Sequence, residues 1–231
     1  LGHSPSANEL RKMGRNDLLR ACRRVFGSFN KAKLSCGLEV YPYKLTEEEK
    51  KITKELAYIL GVFYSDGVKS DRWIALVVND KDFALSFKKA LEKQFRKKPK
   101  FTTLLCASGY CKKKKVRYKV YLGSKEIVKF LKEFDVNRLL TQDNDIVASF
   151  IRGFFDGDGG VSIIKRNRGN LQYERVINFS NGNYKILELI KKMLKKLNIE
   201  TRKIRTIKEK CYSFELKSGL INYILFYHLI G

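Results

Sequence analysis

The chain has 231 residues, of which 44% are hydrophobic, so it can bury a core and form one or two folded domains. Its 48 Lys and Arg residues outnumber its 24 Asp and Glu residues, and the net charge of +24 predicts a polyanionic partner without showing whether the chain is an enzyme. No apolar run approaches the roughly 20 residues that span a bilayer, and the start of the chain lacks a signal-peptide pattern. We therefore expect a soluble intracellular protein with no membrane partner, in a prokaryotic cytoplasm or nucleoid or in an organelle.

The cysteine content argues against a zinc site. The five cysteines are odd in number, include no C-x-x-C pair and are accompanied by only two histidines. We expect them to be buried free thiols.

Residues 1–45 form the first predicted segment, which is strongly basic. Its basic positions, which suit contact with a polyanion, include Arg11, Lys12, Arg15, Arg20, Arg23 and Arg24. The segment also carries a pattern that consists of Pro5-Ser6, Glu9-Leu10, Phe26 to Asn30, Ala32 and Gly37-Leu38. A helical extension that only stabilises the fold is an open alternative to contact with a polyanion.

The rest of the chain contains one motif twice, at a constant offset of 92 positions. Residues 56–67 read LAYILGVFYSDG and residues 148–159 read ASFIRGFFDGDG. The identical pairs are Ile59 and Ile151, Gly61 and Gly153, Phe63 and Phe155, Asp66 and Asp158, and Gly67 and Gly159. A repeat with a fixed register predicts two copies of one structural unit.

Similar elements follow each copy of the motif. A strand is predicted at 73–78, and helices are predicted from the apolar spacing of Phe83, Ala84, Phe87, Ala90 and Leu91, and of Ile186, Leu187, Ile190, Met193 and Leu194. In the strands that follow, we expect a core face at Val116, Tyr118, Val120, Leu122, Tyr212, Phe214 and Leu216, and a solvent or ligand face at Arg117, Lys119, Ser213 and Glu215. These patterns predict an α+β fold of two pseudo-symmetric αββαββα halves, residues 46–143 and 144–231, with a linker at 135–144.

Small residues recur at every fourth position of both motif helices. They are Ala57, Gly61 and Ser65 in the first, and Ser149, Gly153 and Gly157 in the second. Such a stripe allows two helices to approach closely. An interior glycine costs a helix about 1 kcal/mol relative to alanine, so glycines at matching positions need a packing reason. If the helices pair in parallel, Asp66 and Asp158 project side by side.

Two carboxylates at two helix carboxyl ends repel each other and oppose the helix dipoles. Divalent cations such as Mg²⁺ or Mn²⁺ remove this conflict and keep positions open for phosphate and water. Either Asp-Gly pair alone is more typical of a helix stop, but the duplication in so basic a chain favours a centre that hydrolyses phosphodiesters. Tyr64 and Asp156, which differ at equivalent positions, are interpreted as structural.

Residues 59–67 and 151–159 resemble the motif of the LAGLIDADG homing endonucleases in their single-chain, two-motif form, and the resemblance covers about residues 46–230. It implies a monomer whose two antiparallel sheets form a saddle over double-stranded DNA, with cleavage across the minor groove and short 3′ overhangs. The implied metal ligands are Asp66, Asp158 and the backbone carbonyls of Ser65 and Gly157. The implied water-organising residues are Asn79 and Asn181, with a one-position ambiguity between the halves. No lysine is assigned a catalytic role.

Recognition of a long DNA site needs phosphate contacts for affinity and base contacts for specificity. The candidate positions, chosen from alternation and charge, are Arg72, Arg117, Lys119, Arg166, Arg168, Glu174, Asn178, Arg202, Arg205 and Lys208. Solvated or phosphate-facing lysines are expected at 112–115 and at Lys191, Lys192, Lys195 and Lys196. The pattern in residues 1–45 resembles a small helical repeat associated with homing endonucleases, which implies an accessory DNA contact.

The sequence thus predicts a site-specific, metal-dependent endodeoxyribonuclease that is encoded in an intron. A free-standing protein is preferred to an intein-embedded one because no splice-junction pattern flanks the motifs. Two alternatives stay open: an RNA-binding maturase that assists splicing with intron RNA as its partner, and a non-catalytic DNA-binding regulator. Retention of both acids argues against each of them.

Overall fold

The computed structural model describes residues 4–38, 40, 43–108, 111–168 and 170–231. Side chains are described in these ranges except at 68, 69, 106–108, 111–113, 166–168, 170–172 and 208. The chain divides into two compact units, Leu1–Lys44 and Leu45–Gly231. Within the described ranges, no helix combines the length and the apolar character needed to cross a membrane.

The first unit contains three short helices, which are α1 (Ala7–Lys12), α2 (Asn16–Phe26) and α3 (Phe29–Ser35). α1 begins at a capping box, in which the side chains of Ser6 and Glu9 each accept a hydrogen bond from the other residue's backbone N–H. α2 ends at Gly27, whose φ of 73° is a left-handed conformation that glycine adopts without strain. The six basic residues singled out in this segment are all exposed.

The second unit begins with one helical turn, α4 (Glu47–Lys50), and then repeats the order αββαββα. The first copy comprises α5 (Lys54–Tyr64), β1 (Val68–Lys69), β2 (Trp73–Val78), α6 (Lys81–Gln94), β3 (Lys100–Ser108), β4 (Cys111–Gly123) and α7 (Lys125–Glu133). The second comprises α8 (Asn144–Asp158), β5 (Gly159–Arg168), β6 (Asn170–Asn181), α9 (Tyr184–Lys196), β7 (Arg205–Lys208), β8 (Cys211–Glu215) and α10 (Leu220–Leu229). The predicted α+β class and repeated order are confirmed.

Each copy contributes one four-stranded antiparallel sheet, with the orders β1-β2-β4-β3 and β5-β6-β8-β7. The register also repeats, because Leu76 pairs with Val120 in the first sheet and Phe179 pairs with Phe214 in the second, and all four are buried. The opposite side of each sheet carries the polar alternate positions and is called the outer face below. On it lie Arg117 and Lys119 of β4 and Ser213 and Glu215 of β8.

Burial confirms both predicted helix faces, since all ten apolar residues that defined them are buried. On the predicted core face of the strands, Tyr118 and Tyr212 are only half-buried, and two other strand positions differ more clearly from the prediction. Val116 is 47% exposed because it lies where the β3–β4 hairpin extends beyond the core. Ser213 is only 6% exposed because β8 is a central strand, and Ser180 and Arg205 flank it on the same face.

The predicted linker is a packed segment. Val136–Thr141 form a 3₁₀ helix, and Leu139 within it is fully buried. The ammonium group of Lys196 on α9 donates to the carbonyl oxygens of Leu140, at 2.9 Å, and Gln142. Lys196 was expected to face solvent or phosphate. Instead its hydrogen bonds hold the segment that connects the two halves against α9.

The cysteines are less buried than predicted. Cys22 and Cys211 are half-buried and Cys36 is exposed, and all three thiols are free. The side chains of Cys106 and Cys111 lie outside the described residues.

Candidate active site

Helices α5 and α8 pack backbone against backbone. A Cβ added to Gly61 would lie 2.2 Å from the carbonyl oxygen of Phe150, and one added to Gly153 would lie 2.2 Å from the carbonyl oxygen of Tyr58. Tyr58 and Phe150 are equivalent positions of the repeat, so a pseudo-twofold axis relates the two contacts. Only glycine leaves room for this close approach, which explains why both helices contain an interior glycine although it destabilises a helix. Ser149, the first position of the predicted stripe, is half-buried, and its hydroxyl donates to the carbonyl oxygen of Asp145.

The carboxyl ends of the same two helices meet. A Cβ added to Gly157 would lie 2.3 Å from the hydroxyl oxygen of Ser65 and 3.2 Å from the backbone nitrogen of Asp66. The pairing is parallel, because Lys54 and Asp145 form an ion pair of 2.5 Å at the other end. α8 ends on its aspartate, whereas Asp66 follows two residues after the last residue of α5.

Asp66 carries the less constrained of the two repeated carboxylates. The residue is exposed, and its side chain has no hydrogen-bond or ion-pair partner among the described residues. Burial of the carboxylate by the surrounding protein nevertheless raises the pKa of Asp66. A cation at this position would supply the counter-charge that the protein does not.

Asp158 is held by a side-chain amide. The Nδ2 atom of Asn181 lies 2.5 Å from Oδ2 of Asp158 and 3.4 Å from the carbonyl oxygen of Tyr64. Its Oδ1 atom accepts a hydrogen bond of 2.7 Å from the backbone N–H of Asn183. Asn181 therefore ties the acid of the second half to the helix end of the first half.

The position of the first half that is equivalent to Asn181 is a valine, Val78, as the helix caps show. Asp80 and Asn183 cap α6 and α9 in the same way, each accepting hydrogen bonds from the backbone N–H groups two and three residues on. Counting back from these caps, Asn181 aligns with Val78 and not with Asn79. Asn79 is exposed in the turn after β2. The one-position ambiguity of the sequence alignment is thereby resolved.

A third aspartate near the helix ends, Asp156, accepts a hydrogen bond from another side chain of the protein. Oδ2 of Asp156 accepts a hydrogen bond of 2.6 Å from the hydroxyl group of Tyr58 across the helix pair. Burial raises the pKa of Asp156, and the hydrogen bond from Tyr58 partly offsets that shift. The contact agrees with the structural interpretation of Asp156.

The donor set at the helix ends suits a hard cation that is completed by substrate. Among the described residues, no group of three or more His, Cys, Asp or Glu side chains could hold a metal ion. The helix ends carry the carboxylates of Asp66 and Asp158, which directly follow Ser65 and Gly157 in the chain. Mg²⁺ commonly binds through one or two carboxylates and fills its remaining positions with phosphate oxygens and water.

Residues 145–231 match the family model described as the LAGLIDADG-like domain. The homing endonuclease I-DmoI, solved in complex with DNA and Mn, has a TM-score of 0.54 and 16% identity to this chain, and the match covers 78% of this chain and 97% of that one. The fold is the LAGLIDADG fold. The N-terminal LAGLIDADG domain of DUF199/WhiA has the same TM-score at 21% identity, with coverage of 84% and 94%.

Two further relatives are longer than the matched region. Full-length DUF199/WhiA from Thermatoga maritima is similar at a TM-score of 0.54 and 17% identity over 82% of this chain and 62% of that chain. An uncharacterized protein of Methanocaldococcus jannaschii is 32% identical over 158 residues, which is 64% of this chain. The match spans only 56% of that curated relative's length.

The predicted DNA-contacting residues occupy different parts of the LAGLIDADG fold. Arg72 is exposed in the loop before β2, and Asn178 is half-buried on the outer face of β6. Three candidates, Glu174, Arg202 and Arg205, form ion pairs. The side chains of Arg166, Arg168 and Lys208 lie outside the described residues.

The four strands of the first sheet contain no Asp or Glu in their sequence, and two described cations lie on its outer face. The Nε atom of Arg117 is buried and has no hydrogen-bond partner. The ammonium group of Lys119 lies 5.7 Å from the centre of the Tyr121 ring, and Lys119 also pairs with Val77 in the register. An unsatisfied buried donor beside a second cation suits an incoming acceptor.

Sequence reasoning did not select Glu215 as a site residue, although it placed that residue on the outer face. Glu215 forms ion pairs with both Arg202 and Arg205. The sequence feature that could have identified Glu215 is an acidic residue on a strand of alternating apolar and polar residues within a strongly basic chain.

Proposed function

We propose that this chain is a divalent-metal-dependent endonuclease that cuts both strands of duplex DNA at a long, specific site, as an intron-encoded homing endonuclease. The observation that carries the proposal is that two parallel helices, packed backbone to backbone, meet at the carboxyl ends that carry Asp66 and Asp158. Support also comes from the charge of +24 and from the similarity to I-DmoI, which was solved with DNA and Mn.

In the proposed site, Asp66, Asp158 and the carbonyls of Ser65 and Gly157 bind divalent cations such as Mg²⁺ or Mn²⁺. The bound cations would neutralise the scissile phosphate and activate water for its attack. Asn181 orients Asp158 through its hydrogen bond and so fixes one ligand before substrate arrives. Asn79, exposed beyond β2, is not given this role.

DNA would lie against the outer faces of the two sheets as in a saddle. A single chain would suffice, because one compact unit contains both acids and both sheets. The exposed arginines of residues 1–45 would add phosphate contacts outside the central site. The two LAGLIDADG halves are assigned to residues 46–143 and 144–231.

The fold alone does not select a nuclease, because it is equally similar to the LAGLIDADG domain of DUF199/WhiA. A duplex-binding module without cleavage is therefore the second candidate. The two proposals differ only in what the paired carboxylates do.

The deciding experiment combines a randomised or host-genomic duplex library with Mg²⁺ and sequences the ends that form. Asp66→Asn and Asp158→Asn are tested separately, and Asp156→Asn is the matched control, because that acid lies on the same helix end but bonds to Tyr58. We expect site-specific breaks with the wild type and the control, and at least a 100-fold loss with either of the other variants, of the order seen when a group stabilising transition-state charge is removed.

Cleavage that survives both substitutions would rule out the mechanism. Selective duplex binding without cleavage by the wild type would select the second candidate. Tight binding to structured intron RNA without DNA cleavage would support a maturase instead.

A further inference from the structure

Four charged side chains form a chain of alternating sign on the second sheet. Nη2 of Arg202 lies 3.0 Å from Oε1 of Glu174, and Nε of Arg202 lies 3.8 Å from Oε2 of Glu215. Oε1 of Glu215 in turn pairs with Nη2 of Arg205. The order along the face is therefore Glu174, Arg202, Glu215 and Arg205.

The two arginines differ in how much of their hydrogen-bonding capacity is used. Nη2 of Arg202 donates to Glu174 and, at 2.9 Å, to Ser218, while Nε of the same group faces Glu215. Ser218 also donates to Glu174 at 3.0 Å, which closes the cluster. The Nε and Nη2 atoms of Arg202, which form one edge of its guanidinium group, therefore already face protein acceptors and are not free to donate to a base.

Arg205 is the open end of the chain. Its side chain is 63% exposed, whereas that of Glu215 is 12% exposed. The interaction with Glu215 is made through Nη2, so the remaining N–H groups of the guanidinium stay available. A nearly buried acid that holds an exposed guanidinium restricts its orientation without covering it.

Arg205 and Glu215 border a cleft on the outer face of the second sheet. Its volume is about 460 Å³, and Ile164, Asn178, Arg205 and Glu215 are among the residues that line it. Arg205 pairs with Ser213 and Glu215 pairs with Asn178 in the strand register, so the guanidinium rises from the edge strand β7, whose register shifts just after it, between Thr206 and Lys208. A pair of antiparallel strands such as β7 and β8 can enter the major groove of B-DNA.

We propose that Arg205 is a specificity-determining residue that reads one guanine in the major groove, and that Glu215, itself braced by Arg202 and Glu174, is its positioning residue. Arginine recognises guanine by donating two hydrogen bonds to O6 and N7, which requires a fixed guanidinium plane. This assignment rests on the DNA-binding function proposed above. Among the predicted DNA-contacting residues, it gives Arg205 the base contact and Glu174 and Arg202 a supporting role.

The test is a binding selection from a randomised duplex library with Ca²⁺ in place of Mg²⁺, which yields the base preference at each position. The variants are Arg205→Lys, which keeps the charge but cannot donate as a planar fork, and Glu215→Gln. Glu200→Gln is the matched control, because it removes an acid that pairs with Lys217 at 2.6 Å among exposed side chains. Thermal melting verifies that each variant is folded.

We expect Arg205→Lys to lower the preference for guanine at one base pair by about 10-fold or more, with the preferences elsewhere unchanged. Glu215→Gln should lower the preference at that same base pair, and Glu200→Gln should leave the whole profile unchanged. Unchanged profiles in both test variants, or a loss of affinity that is uniform over all sequences, would overturn the assignment but not the proposed nuclease. If the wild type selects no duplex sequence, both proposals fall.

Discussion

Asn181 donates a hydrogen bond to Asp158, and the equivalent position of the first half is Val78, so the two repeated acids have different surroundings. Asp158 is oriented before any ligand binds, whereas Asp66 has no partner among the described side chains. The pseudo-symmetry of the backbone therefore does not extend to the chemistry of the two carboxylates.

Replacing Asn181 by alanine should leave the fold intact but release Asp158. Because partners that orient a metal ligand typically contribute 10- to 100-fold to metal affinity or activity, we expect losses in Mn²⁺ affinity and cleavage rate of roughly that size. Calorimetric titration with Mn²⁺ and initial cleavage rates measure the two effects. Asn79→Ala is the control, and equal effects of the two substitutions would contradict the alignment derived from the helix caps.

Asp66 should destabilise the metal-free protein near neutral pH. Since burial raises the pKa of Asp66 in the folded state, the folded protein binds more protons than the unfolded one, and the stability contribution of this group falls as pH rises through that range. We expect Asp66→Asn to raise the melting temperature at pH 7, with the difference disappearing below the unfolded pKa of the aspartate, about 3.9.

A matched substitution at an acid whose pKa is lowered should not raise the melting temperature. The pKa of Asp71 is lowered by its hydrogen bond and ion pair with Lys132, so its charged form favours the folded state. Asp71→Asn is therefore expected to leave the melting temperature unchanged or to lower it, since exposed ion pairs contribute little. A lower melting temperature for Asp66→Asn would show that its carboxylate is not desolvated.

Much of the fold was predictable because it depends on periodic patterns. The repeat with its offset of 92 predicted two copies, and the buried helix faces followed from apolar spacing. Glycines at matching positions predicted the close approach of α5 and α8, which the contacts of Gly61 and Gly153 now demonstrate. Local patterns of this kind carry information because burial selects residue types at fixed intervals.

The parts that sequence did not predict depend on distances between remote side chains. Asn181 was a candidate beside Asn79, and only the helix caps showed which of them aligns with which strand position. The role of Lys196 required knowing that the segment after Asp135 packs against α9. Likewise, nothing in the alternation of β8 indicates that Glu215 pairs with two arginines.

Lys196 gives a direct test of the packed connection between the halves. Lys196→Met removes a charged donor from two carbonyl oxygens in a half-buried position, while the methylene stem stays in place. Hydrogen bonds that involve a charged group contribute roughly 1.5–3 kcal/mol, so we expect a loss of about that size in the free energy of unfolding. Lys195→Met is the control, since Lys195 is exposed. Equal urea midpoints for the two variants would show that the connection is not fastened by Lys196.

The contact between α5 and α8 predicts that an ordinarily favourable substitution becomes unfavourable. Alanine in place of glycine inside a helix normally stabilises it by about 1 kcal/mol. At Gly61 the added methyl group would lie 2.2 Å from the carbonyl oxygen of Phe150, which belongs to the backbone of the other helix and cannot turn aside. Gly61→Ala should therefore destabilise the protein by roughly 1–3 kcal/mol, the usual range for overpacking.

Gly153→Ala should have a similar effect through the carbonyl of Tyr58, and the double variant should cost less than the sum of the two. Once one methyl group has forced the helices apart, the second meets less resistance, so the effects are coupled. Urea denaturation of the four proteins measures this coupling, and Ser149→Ala, which removes atoms from a half-buried position of the same stripe and adds none, serves as the control. Because the acids lie at the end of the same pair, the variants should also lose cleavage activity under conditions where they remain folded. Stabilisation by either alanine would contradict the backbone contact on which the proposed site depends.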